Sequence, residues 1–414
     1  MSSPATLSTA DPLAAPDDLL ARCARVADLA RPYAERTDRD GVLPEEVLTA
    51  LDEARLFSLA LPRELGGLGS APGEIVRAVE ELTYADASLG WTALIGQSSG
   101  CLAWMDPGAA REITGTTPDP RVAGSMAPAG RGVPAAGPDG TPGFRLSGRW
   151  PYNSGCRHAQ WLVVAFLPGA PGGGPDGPPP GVPAGERPSG PPPIRWAAVP
   201  AGAARTLPTW DVMGLRGTAS DDVVLEDVWV PAARTFDPLR EPARCGAALY
   251  RHSLFTFLMT VMAGFPLGLT RRVIDDFTET AAAKGRLGNR HVLLDDPLVQ
   301  SRLLRARSEA RAARLLVAEA IATLGAEETA DPVRDRAALA AAVQHAVRVC
   351  VETAEWAFHT SGGSAIHLSD PLQRAWRDAL TAASHIAFST AAVGRTARAL
   401  LRPEALSGMD SLLV

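Results

Sequence analysis

The order of helix-like and strand-like patterns along the chain constrains its fold more than any other feature of the sequence. Apolar residues recur at helical spacing over residues 1–120, and short strand-like runs between glycines and prolines occupy residues 121–240. Helical spacing then returns over residues 241–414. We therefore predict an α+β fold that is mostly α, with an N-terminal helical domain, a small central β-barrel or sheet domain, and a C-terminal four-helix bundle.

Local patterns support this division. Pro44 followed by two glutamates is typical of a helix start in the N-terminal part. The central part contains five candidate strands, whose lengths fit a small antiparallel barrel or a two-layer sheet: Arg121–Met126, Phe144–Gly148, Trp161–Phe166, Ile194–Val199 and Asp222–Val230. The C-terminal part carries an apolar seam at alternating intervals of three and four residues, as bundle packing requires: Leu303, Ala306, Ala310, Ala313, Val317, Ala320 and Leu324. Arg314 lies off this seam, and we expect it to be solvated.

One segment of the central part does not read as a strand or a helix. Of the 26 residues from Pro168 to Pro193, 11 are proline and 8 are glycine. Such a segment buries too little apolar surface to order itself. We predict a disordered insertion between two strands that takes no part in chemistry.

Composition and charge exclude several classes of function. The 414 residues carry a net charge of −6, which does not suit a surface for nucleic acid. No apolar run reaches the roughly 18 residues of a membrane helix, and the first residues lack the features of a signal peptide. The five cysteines are scattered and form no CxxC pair. We therefore predict reduced thiols, no metal site, no membrane contact and a cytoplasmic location.

Three segments of the chain carry candidate chemistry. Gly148–Trp161 reads GRWPYNSGCRHAQW, and Trp210–Ser220 reads WDVMGLRGTAS. The third combines Ser361–Ser364 (SGGS) with Pro371–Asp378 (PLQRAWRD), followed by His385. Together, in this order and spacing, the three segments resemble the acyl-CoA dehydrogenase superfamily.

The first segment is similar to a signature of one branch of that superfamily, the flavin-dependent two-component monooxygenases. This branch includes the oxygenase components of p-hydroxyphenylacetate hydroxylase and dibenzothiophene monooxygenase. The resemblance extends over about residues 15–405. It implies the helical, β and helical domains predicted above, and it implies a flavin cofactor.

The resemblance also implies residues that hold the flavin ring. Ser154 falls where the superfamily places a hydroxyl against flavin N5, and a hydroxyl can donate or accept a hydrogen bond there. Ser125 falls on the strand beside the pyrimidine ring, and Asn153 joins these cofactor-binding residues. A serine before Gly155 is also a common turn residue, so a structural role for Ser154 remains open.

A second group of residues matches the superfamily's flavin-phosphate site. Arg286 corresponds to an arginine that often reaches the phosphate across a subunit boundary. Gly362, Gly363 and Ser364 match a turn whose backbone N–H groups approach the same phosphate, and His359 lies just before it. A plain turn between two helices is the alternative interpretation.

The C-terminal segment separates the two branches of the superfamily. Well-known acyl-CoA dehydrogenases carry a glutamate about eight residues after the Arg-Asp pair as the base that removes a proton. Here Ile386 stands at that place, and no acid occurs between Asp378 and Glu404. Some dehydrogenases take this base from another helix. In the oxygenase branch, a histidine such as His385 faces the flavin C4a edge; a packed or solvated histidine is the alternative.

The candidate substrate pocket departs from that of relatives that hydroxylate phenols. Those relatives carry a histidine on the helix that corresponds to Trp91–Cys101, and this chain has none there. We expect Trp91 to wall the pocket and Gln97, Ser98 or Ser99 to replace the histidine. The absence of the histidine argues against a simple phenol as substrate. His158 is a further candidate, although it also suits a role in fixing its own loop.

These features predict a homotetrameric monooxygenase that binds reduced FMN or reduced FAD and uses molecular oxygen as co-substrate. The chain lacks a GxGxxG motif between a strand and a helix, so we expect a separate NAD(P)H:flavin reductase to supply the flavin. The resemblance implies a C4a-hydroperoxyflavin that hydroxylates an aromatic or other electron-rich small molecule. The single lysine and the abundant Ala, Gly and Pro indicate a GC-rich coding sequence, from which we expect a role in natural-product or antibiotic biosynthesis. The alternatives are an N- or S-oxygenase, an FAD-dependent acyl-CoA dehydrogenase, and a scaffold without activity.

Overall fold

The structure is a computed structural model, and it describes residues 11–117, 119–169, 193–285, 291–325, 332–406 and 410. Most of the predicted insertion Pro168–Pro193 lies outside the described residues, and so does Arg286. The predicted order of helices, sheet and helices is confirmed. The last N-terminal helix ends at Thr114, and the first strand begins at Val122.

The N-terminal part folds into helices around an apolar core. Its helices are α1 (Asp17–Ala30), α2 (Ala34–Asp40), α3 (Glu45–Glu53), α4 (Pro72–Ala85), α5 (Ala87–Gly96) and α6 (Pro107–Thr114). Helix α3 begins directly after Pro44, as its two glutamates predict. Helix α5 is almost wholly buried, and the Asp86 carboxylate caps it by accepting from the backbone N–H of Leu89 at 2.9 Å. A 3-10 turn, Gln97–Trp104, continues α5 and carries the candidate pocket residues.

The central part forms one seven-stranded mixed sheet, in the order β5-β6-β2-β1-β3-β4-β7. The strands are β1 (Val122–Ala136), β2 (Pro142–Asn153), β3 (Trp161–Pro168), β4 (Arg195–Pro200), β5 (Arg205–Leu207), β6 (Asp221–Pro231) and β7 (Thr235–Phe236). The prediction of an antiparallel arrangement is wrong for one pair, because β1 and β3 run parallel. The reason is that residues 154–160 cross from β2 back past β1 before β3 begins, and this crossover carries the first sequence motif.

The C-terminal part packs long helices against one another. These are α7 (Leu254–Met262), α8 (Gly264–Ala283), α9 (Pro297–Gly325), α10 (Pro332–Ser361), α11 (Pro371–Ala383) and α12 (Thr390–Leu401). The predicted apolar seam of α9 is buried except at Ala310, which is half-buried. Helix α10 lies at the centre and contacts α8, α9, α11 and α12, so the seam marks the face of α9 that packs into the bundle.

One helical stretch, Leu254–Ala283, is long and apolar enough to cross a membrane by length and composition. This is contrary to the expectation from the sequence. Inside the structure, 83% of its most apolar window is buried against the neighbouring helices. Burial in the helical core accounts for its apolar composition.

A buried carboxylate joins the N-terminal and C-terminal helices. Glu80 on α4 is 3% exposed and forms ion pairs with Arg77 at 3.2 Å and Arg271 of α8 at 3.3 Å. Its third partner is Arg314 of α9. The expectation that Arg314 is solvated is therefore wrong: its position off the apolar seam turns it toward α4, where the guanidinium neutralises a carboxylate removed from water.

Candidate functional site

The crossover after β2 positions Ser154 beside the sheet. Ser154 is 7% exposed and directly follows Asn153, the last residue of β2. Gly155 then takes a φ of +76°, and a Cβ atom there would lie 3.1 Å from the Nε2 atom of His158. Glycine is required by this turn for both reasons, and the turn fixes the direction of the Ser154 side chain.

Ser154 belongs to a chain of buried hydroxyl groups. Its Oγ accepts a hydrogen bond from Trp91 Nε1 at 3.1 Å and lies 2.7 Å from Ser220 Oγ. Ser220 Oγ lies 2.7 Å from Thr218 Oγ1, which donates to the carbonyl oxygen of Leu215 at 2.8 Å. The sequence predicts Trp91 as a wall of the substrate pocket, and the structure adds that its indole N–H holds Ser154. The first two sequence motifs are therefore one hydrogen-bonded unit.

The third motif holds the second in place. The backbone N–H of Leu215 donates to the Asp378 carboxylate at 2.6 Å. Arg377 pairs with Asp38 of α2 at 2.7 Å and donates to the carbonyl oxygen of Met213. Because Leu215 anchors the hydroxyl chain, the Arg377–Asp378 pair positions Ser154 from the far end of the protein sequence.

Gly214 allows this close contact. A Cβ atom at Gly214 would lie 2.2 Å from the carbonyl oxygen of Arg377, which is backbone and cannot move aside. We expect Gly214→Ala to lower the free energy of unfolding by about 1–3 kcal/mol, measured by denaturant unfolding. Gly394→Ala is the matched control, because a Cβ there meets nothing within 4 Å in helix α12. The control is expected to stabilise slightly, and an unchanged midpoint for Gly214→Ala would contradict the steric explanation.

His385 lies at the end of α11 and contacts Trp91. Its ring centroid lies 5.9 Å from that of Trp91, and its Nδ1 accepts from the backbone N–H of Ala387 at 3.2 Å. Burial lowers the pKa of His385 to about 4, so the ring is neutral at pH 7. Since Nδ1 is an acceptor, the ring proton sits on Nε2. Trp91 thus joins the two candidate catalytic residues, a serine hydroxyl and a neutral imidazole that can donate one hydrogen bond.

His158 lines a small, partly open cavity beside the Ser154 loop. The cavity has a volume of about 10 Å³, and its walls include Phe57, Thr92 and Ser154. Two buried polar atoms of its wall residues have no hydrogen-bond partner in the described part of the chain, His158 Nδ1 and Thr92 Oγ1. Such a space is close to the size that holds one water molecule.

The state of His158 predicts a dependence of stability on pH. Burial, and then the charge of Arg121, lower the pKa of His158 to about 4. An unfolded histidine titrates near 6.5, so below that pH the unfolded chain binds a proton that the folded chain does not. The free energy of unfolding therefore falls between pH 6.5 and 4, by about 2 kcal/mol at pH 5 for this group.

We expect His158→Phe to reduce the loss of stability between pH 7 and pH 5, measured by urea unfolding at both values. His367→Phe is the control, because His367 is exposed. Burial raises the pKa of Asp119 and of Asp378 to about 7, so these two carboxyl groups favour the folded chain as the pH falls. Both groups are present in the wild type and in His158→Phe, so their contribution cancels when the two proteins are compared. Equal losses in the wild type and in His158→Phe would contradict the low pKa.

Two of the predicted contact residues are fully buried in this chain. Gln97 is 0% exposed, and its amide donates to the carbonyl oxygens of Leu56 and Ala93 and accepts from the N–H of Ala60. Asn153 is also 0% exposed, and its Nδ2 donates to the carbonyl oxygen of Trp150 at 2.8 Å. Gln97 is thus fully bonded to the backbone around it, whereas Asn153 Oδ1 is buried without a hydrogen-bond partner in the described part of the chain.

Two further predicted residues, Ser98 of the substrate pocket and Ser125 of the cofactor site, are less completely buried. Ser98 is half-buried and makes no hydrogen bond within the described residues, which leaves its hydroxyl available to a ligand. Ser125 is 8% exposed on β1, just before a register shift in its pairing with β3, and its hydroxyl lies 3.5 Å from the carbonyl oxygen of Pro151. Of the three candidates to replace the absent histidine, Gln97 and Ser99 are 0% exposed and Ser98 is half-buried.

The glycine turn after α10 is open to solvent. Gly362, Gly363 and Ser364 are exposed, and a Cβ at either glycine would meet nothing within 4 Å. Lys284 donates from Nζ to the Ser361 carbonyl oxygen and to the Ser364 hydroxyl. An accessible turn of backbone N–H groups beside a cation fits a phosphate group. His359 lies on the last turn of α10, exposed, with its ring 5.9 Å from that of Trp376.

Sequence reasoning missed two residues of this region. Lys284 has a signal in the sequence, because it is the only lysine of the chain and stands two residues before Arg286. Tyr152 is 72% exposed, holds a φ of +60°, and packs its ring against Trp210 at 6.3 Å. An exposed aromatic residue in a sparsely populated backbone conformation is typical of a functional surface. Its flat side chain two residues before Ser154 fits an aromatic ring system such as a flavin.

No carboxylate occupies the position of a dehydrogenase base among the described residues near His385. Ile386 is 75% exposed, and the nearby Asp378 is 4% exposed and bonded to Leu215. Within the described parts of the chain, no three His, Cys, Asp or Glu side chains cluster so as to hold a metal ion. The donor set here consists of hydroxyl groups, an imidazole and aromatic rings, which suits an organic cofactor.

Comparisons with known proteins agree with this geometry. Two family models match the chain, the acyl-CoA dehydrogenase N-terminal domain over residues 20–108 and the C-terminal domain over residues 260–390. The oxygenase component of the FADH(2)-dependent resorcinol hydroxylase of Rhizobium sp. is 32% identical over 405 residues, which cover 91% of this chain and 92% of that protein. The indole-3-acetate monooxygenase of Pseudomonas putida is 30% identical over 351 residues, 84% of each chain.

A solved structure extends the comparison to three dimensions. The crystal structure of 3-HSA hydroxylase from Rhodococcus sp. RHA1 superposes with a TM-score of 0.82 at 26% identity. The superposition covers 95% of this chain and 98% of that chain. Helical domains, sheet and bundle are therefore shared over nearly the full length.

Proposed function

This chain belongs to the acyl-CoA dehydrogenase family, in its branch of flavin-dependent monooxygenases, and on that premise we propose that it is the oxygenase component of a two-component system. The three sequence segments predict this family, and the prediction is confirmed. The observation that carries the proposal is the meeting of Ser154 and His385 on the two sides of Trp91, without a carboxylate among the described residues beside them.

The flavin is FAD or FMN in its reduced form. When bound, it would supply the redox chemistry that activates molecular oxygen at its C4a edge. The chain's own residues would orient the ring and exclude water: Ser154 would meet N5, the Nε2 proton of His385 would be available as a donor toward the C4a edge, and Tyr152 would cover an exposed edge. The open turn Gly362–Ser364, with His359, Lys284 and Arg286, holds the phosphate end.

The substrate is a small, electron-rich aromatic molecule. Trp91 is packed against Phe265 at 5.1 Å, and His385 is packed against Phe388 at 6.0 Å, so the wall around His385 is aromatic. Ser98 offers the polar contact that orients the substrate. The relatives named for resorcinol and indole-3-acetate act on electron-rich rings, which supports carbon hydroxylation over oxidation of nitrogen or sulfur.

A separate NAD(P)H:flavin reductase supplies reduced flavin by diffusion, in keeping with the relative named as an oxygenase component. The oxygenase itself is a homotetramer. Helix α9 exposes Leu298, Leu304 and Leu315, which are 77%, 68% and 59% accessible in the single chain and suit burial against another copy. Sedimentation equilibrium tests this assembly, and a monomer at micromolar concentration would contradict it.

We also place the protein in the cytoplasm, in a natural-product or antibiotic pathway. Its five cysteines are all free, which suits a reducing compartment. Lys284 is the only lysine among 40 basic residues, a composition typical of the GC-rich genomes in which such pathways are common. Deletion of the gene is expected to abolish one oxygenated metabolite of the host, detected by mass spectrometry.

Stopped-flow spectroscopy tests the proposed function. Anaerobic protein is mixed with reduced FMN or reduced FAD and then with oxygenated buffer, alone and with candidate aromatic substrates. A flavin–oxygen adduct that persists before oxidised flavin appears is the expected result. Direct oxidation with both flavins and every substrate contradicts the proposal, and turnover of acyl-CoA with an artificial electron acceptor would then identify a dehydrogenase. Failure to bind any flavin would favour a scaffold without activity.

A further inference from the structure

The protons of the buried hydroxyl chain can be assigned by counting. Thr218 Oγ1 lies 2.8 Å from the carbonyl oxygen of Leu215, which can only accept and which also receives the Trp210 indole N–H at 3.0 Å and the Thr218 backbone N–H at 3.1 Å. We assign the Thr218 hydroxyl proton to this oxygen. Ser220 must therefore donate to Thr218, since these two oxygens lie 2.7 Å apart and the Thr218 proton is already used. All three groups are buried, with Thr218 0%, Ser220 2% and Ser154 7% exposed.

The same count continues to Ser154. The Ser220 proton is used at Thr218, so Ser154 donates across its 2.7 Å contact with Ser220. Trp91 can only donate, and its Nε1 does so to Ser154 Oγ at 3.1 Å. The chain therefore runs in one direction, from the Trp91 N–H through Ser154, Ser220 and Thr218 to the Leu215 carbonyl oxygen.

This direction decides what Ser154 offers to a ligand. Its proton is committed to Ser220, and one lone pair receives the Trp91 N–H, so one lone pair remains. In this state Ser154 accepts a hydrogen bond and cannot donate one. The two oxidation states of a flavin differ at this point, because N5 of the reduced ring carries a hydrogen and N5 of the oxidised ring presents only a lone pair.

We propose that Ser220 and Thr218 are positioning residues that lock Ser154 as an acceptor, so that the site selects reduced over oxidised flavin. The inference rests on the proposed function, in which Ser154 meets N5. Reduced flavin gains a hydrogen bond from N5–H to Ser154. In oxidised flavin, the lone pair of N5 faces the free lone pair of Ser154 Oγ, and the two repel each other. An oxygenase that receives reduced flavin and releases oxidised flavin needs this difference in affinity.

The experiment compares the dissociation constants of oxidised and reduced flavin, by fluorescence titration in air and by anaerobic titration. We expect the wild-type protein to bind the reduced form at least about tenfold more tightly. This ratio also appears as a rise of about 30 mV in the midpoint potential of the bound flavin for each factor of ten.

Ser220→Ala removes the acceptor of the Ser154 proton, which then turns to N5 of the oxidised ring. We expect this variant to tighten binding of oxidised flavin about tenfold and to leave binding of reduced flavin within about twofold. Thr218→Val is expected to act in the same direction, because Ser220 can then donate to Ser154 and release the Ser154 proton. Thr218→Ser keeps the hydroxyl group and serves as the matched control, with an unchanged ratio.

A merely structural role would weaken both flavins together and would not tighten either. An unchanged ratio in both Ser220→Ala and Thr218→Val, with both flavin forms bound, overturns the inference and leaves the proposed function intact. If Ser220→Ala fails to fold by circular dichroism, Thr218→Val decides alone. A wild-type protein that binds neither form overturns the proposed function and the inference with it.

Discussion

Ser154→Ala is expected to shorten the lifetime of the flavin–oxygen adduct by about 10- to 100-fold. The substitution removes the acceptor that we propose for N5–H in a site shielded from water, and an unmet buried donor costs on the order of 1–3 kcal/mol. Once that contact is lost, hydrogen peroxide leaves the flavin sooner. The measurement is double-mixing stopped flow, in which the decay of the adduct is followed without substrate.

Ser154→Thr is the matched control for this prediction. It keeps an Oγ atom beside Trp91 Nε1 and Ser220 Oγ, and we expect its adduct lifetime to stay within a few-fold of the wild-type value. Circular dichroism and denaturant unfolding confirm that the alanine variant is folded. If a folded Ser154→Ala protein forms an adduct as long-lived as that of the wild type, Ser154 does not contact N5.

Glu80→Ala is expected to lower the free energy of unfolding by about 3–5 kcal/mol. Glu80 is 3% exposed and neutralises Arg77, Arg271 and Arg314, which come from three helices of two helical regions. Its removal leaves Arg77 and Arg271 with Glu81 as their remaining partner, and Arg314 with Asp11 at 3.6 Å, which places the loss toward the lower end of this range. Urea unfolding at pH 7 measures the change.

Glu309→Ala provides the control for the Glu80 prediction. Glu309 pairs with Arg305 at 2.9 Å on a more exposed part of α9, where an ion pair is worth about 0.2–1 kcal/mol. The two variants remove the same side chain and differ in burial. A loss for Glu80→Ala no larger than that for Glu309→Ala would show that the buried cluster does not hold the two helical regions together.

Local patterns in the sequence predicted the elements of the fold well. Periodicity located the helices and the buried seam of α9, since the spacing of apolar residues follows directly from helix geometry. The parallel pairing of β1 with β3 was not predicted, because register and direction depend on where a crossover returns the chain. Arg314 was assigned to solvent for a related reason: its partner Glu80 is 234 residues away in sequence.

For the candidate site, too, the sequence predicted positions but not contacts. The motifs identified Ser154, His385 and the glycine turn as candidate positions, but not the contacts between them. Gln97 and Asn153 were named as ligand contacts because their residue types suit hydrogen bonding, yet both are fully buried and bond to the backbone. Burial is a property of the packed chain and has no local signature.

The sequence by itself determined the helical and β segments, the family and the absence of a base at Ile386, because each depends on residue type and local spacing. Only the tertiary structure decided that Trp91, Ser154, Ser220 and Thr218 form one continuous chain of hydrogen bonds. These residues come from a helix, a crossover and a loop, and the loop is anchored in turn by Asp378, 163 residues from Leu215. A hydrogen bond is directed and acts only at contact distance, so its partners are fixed by the packing of the whole chain.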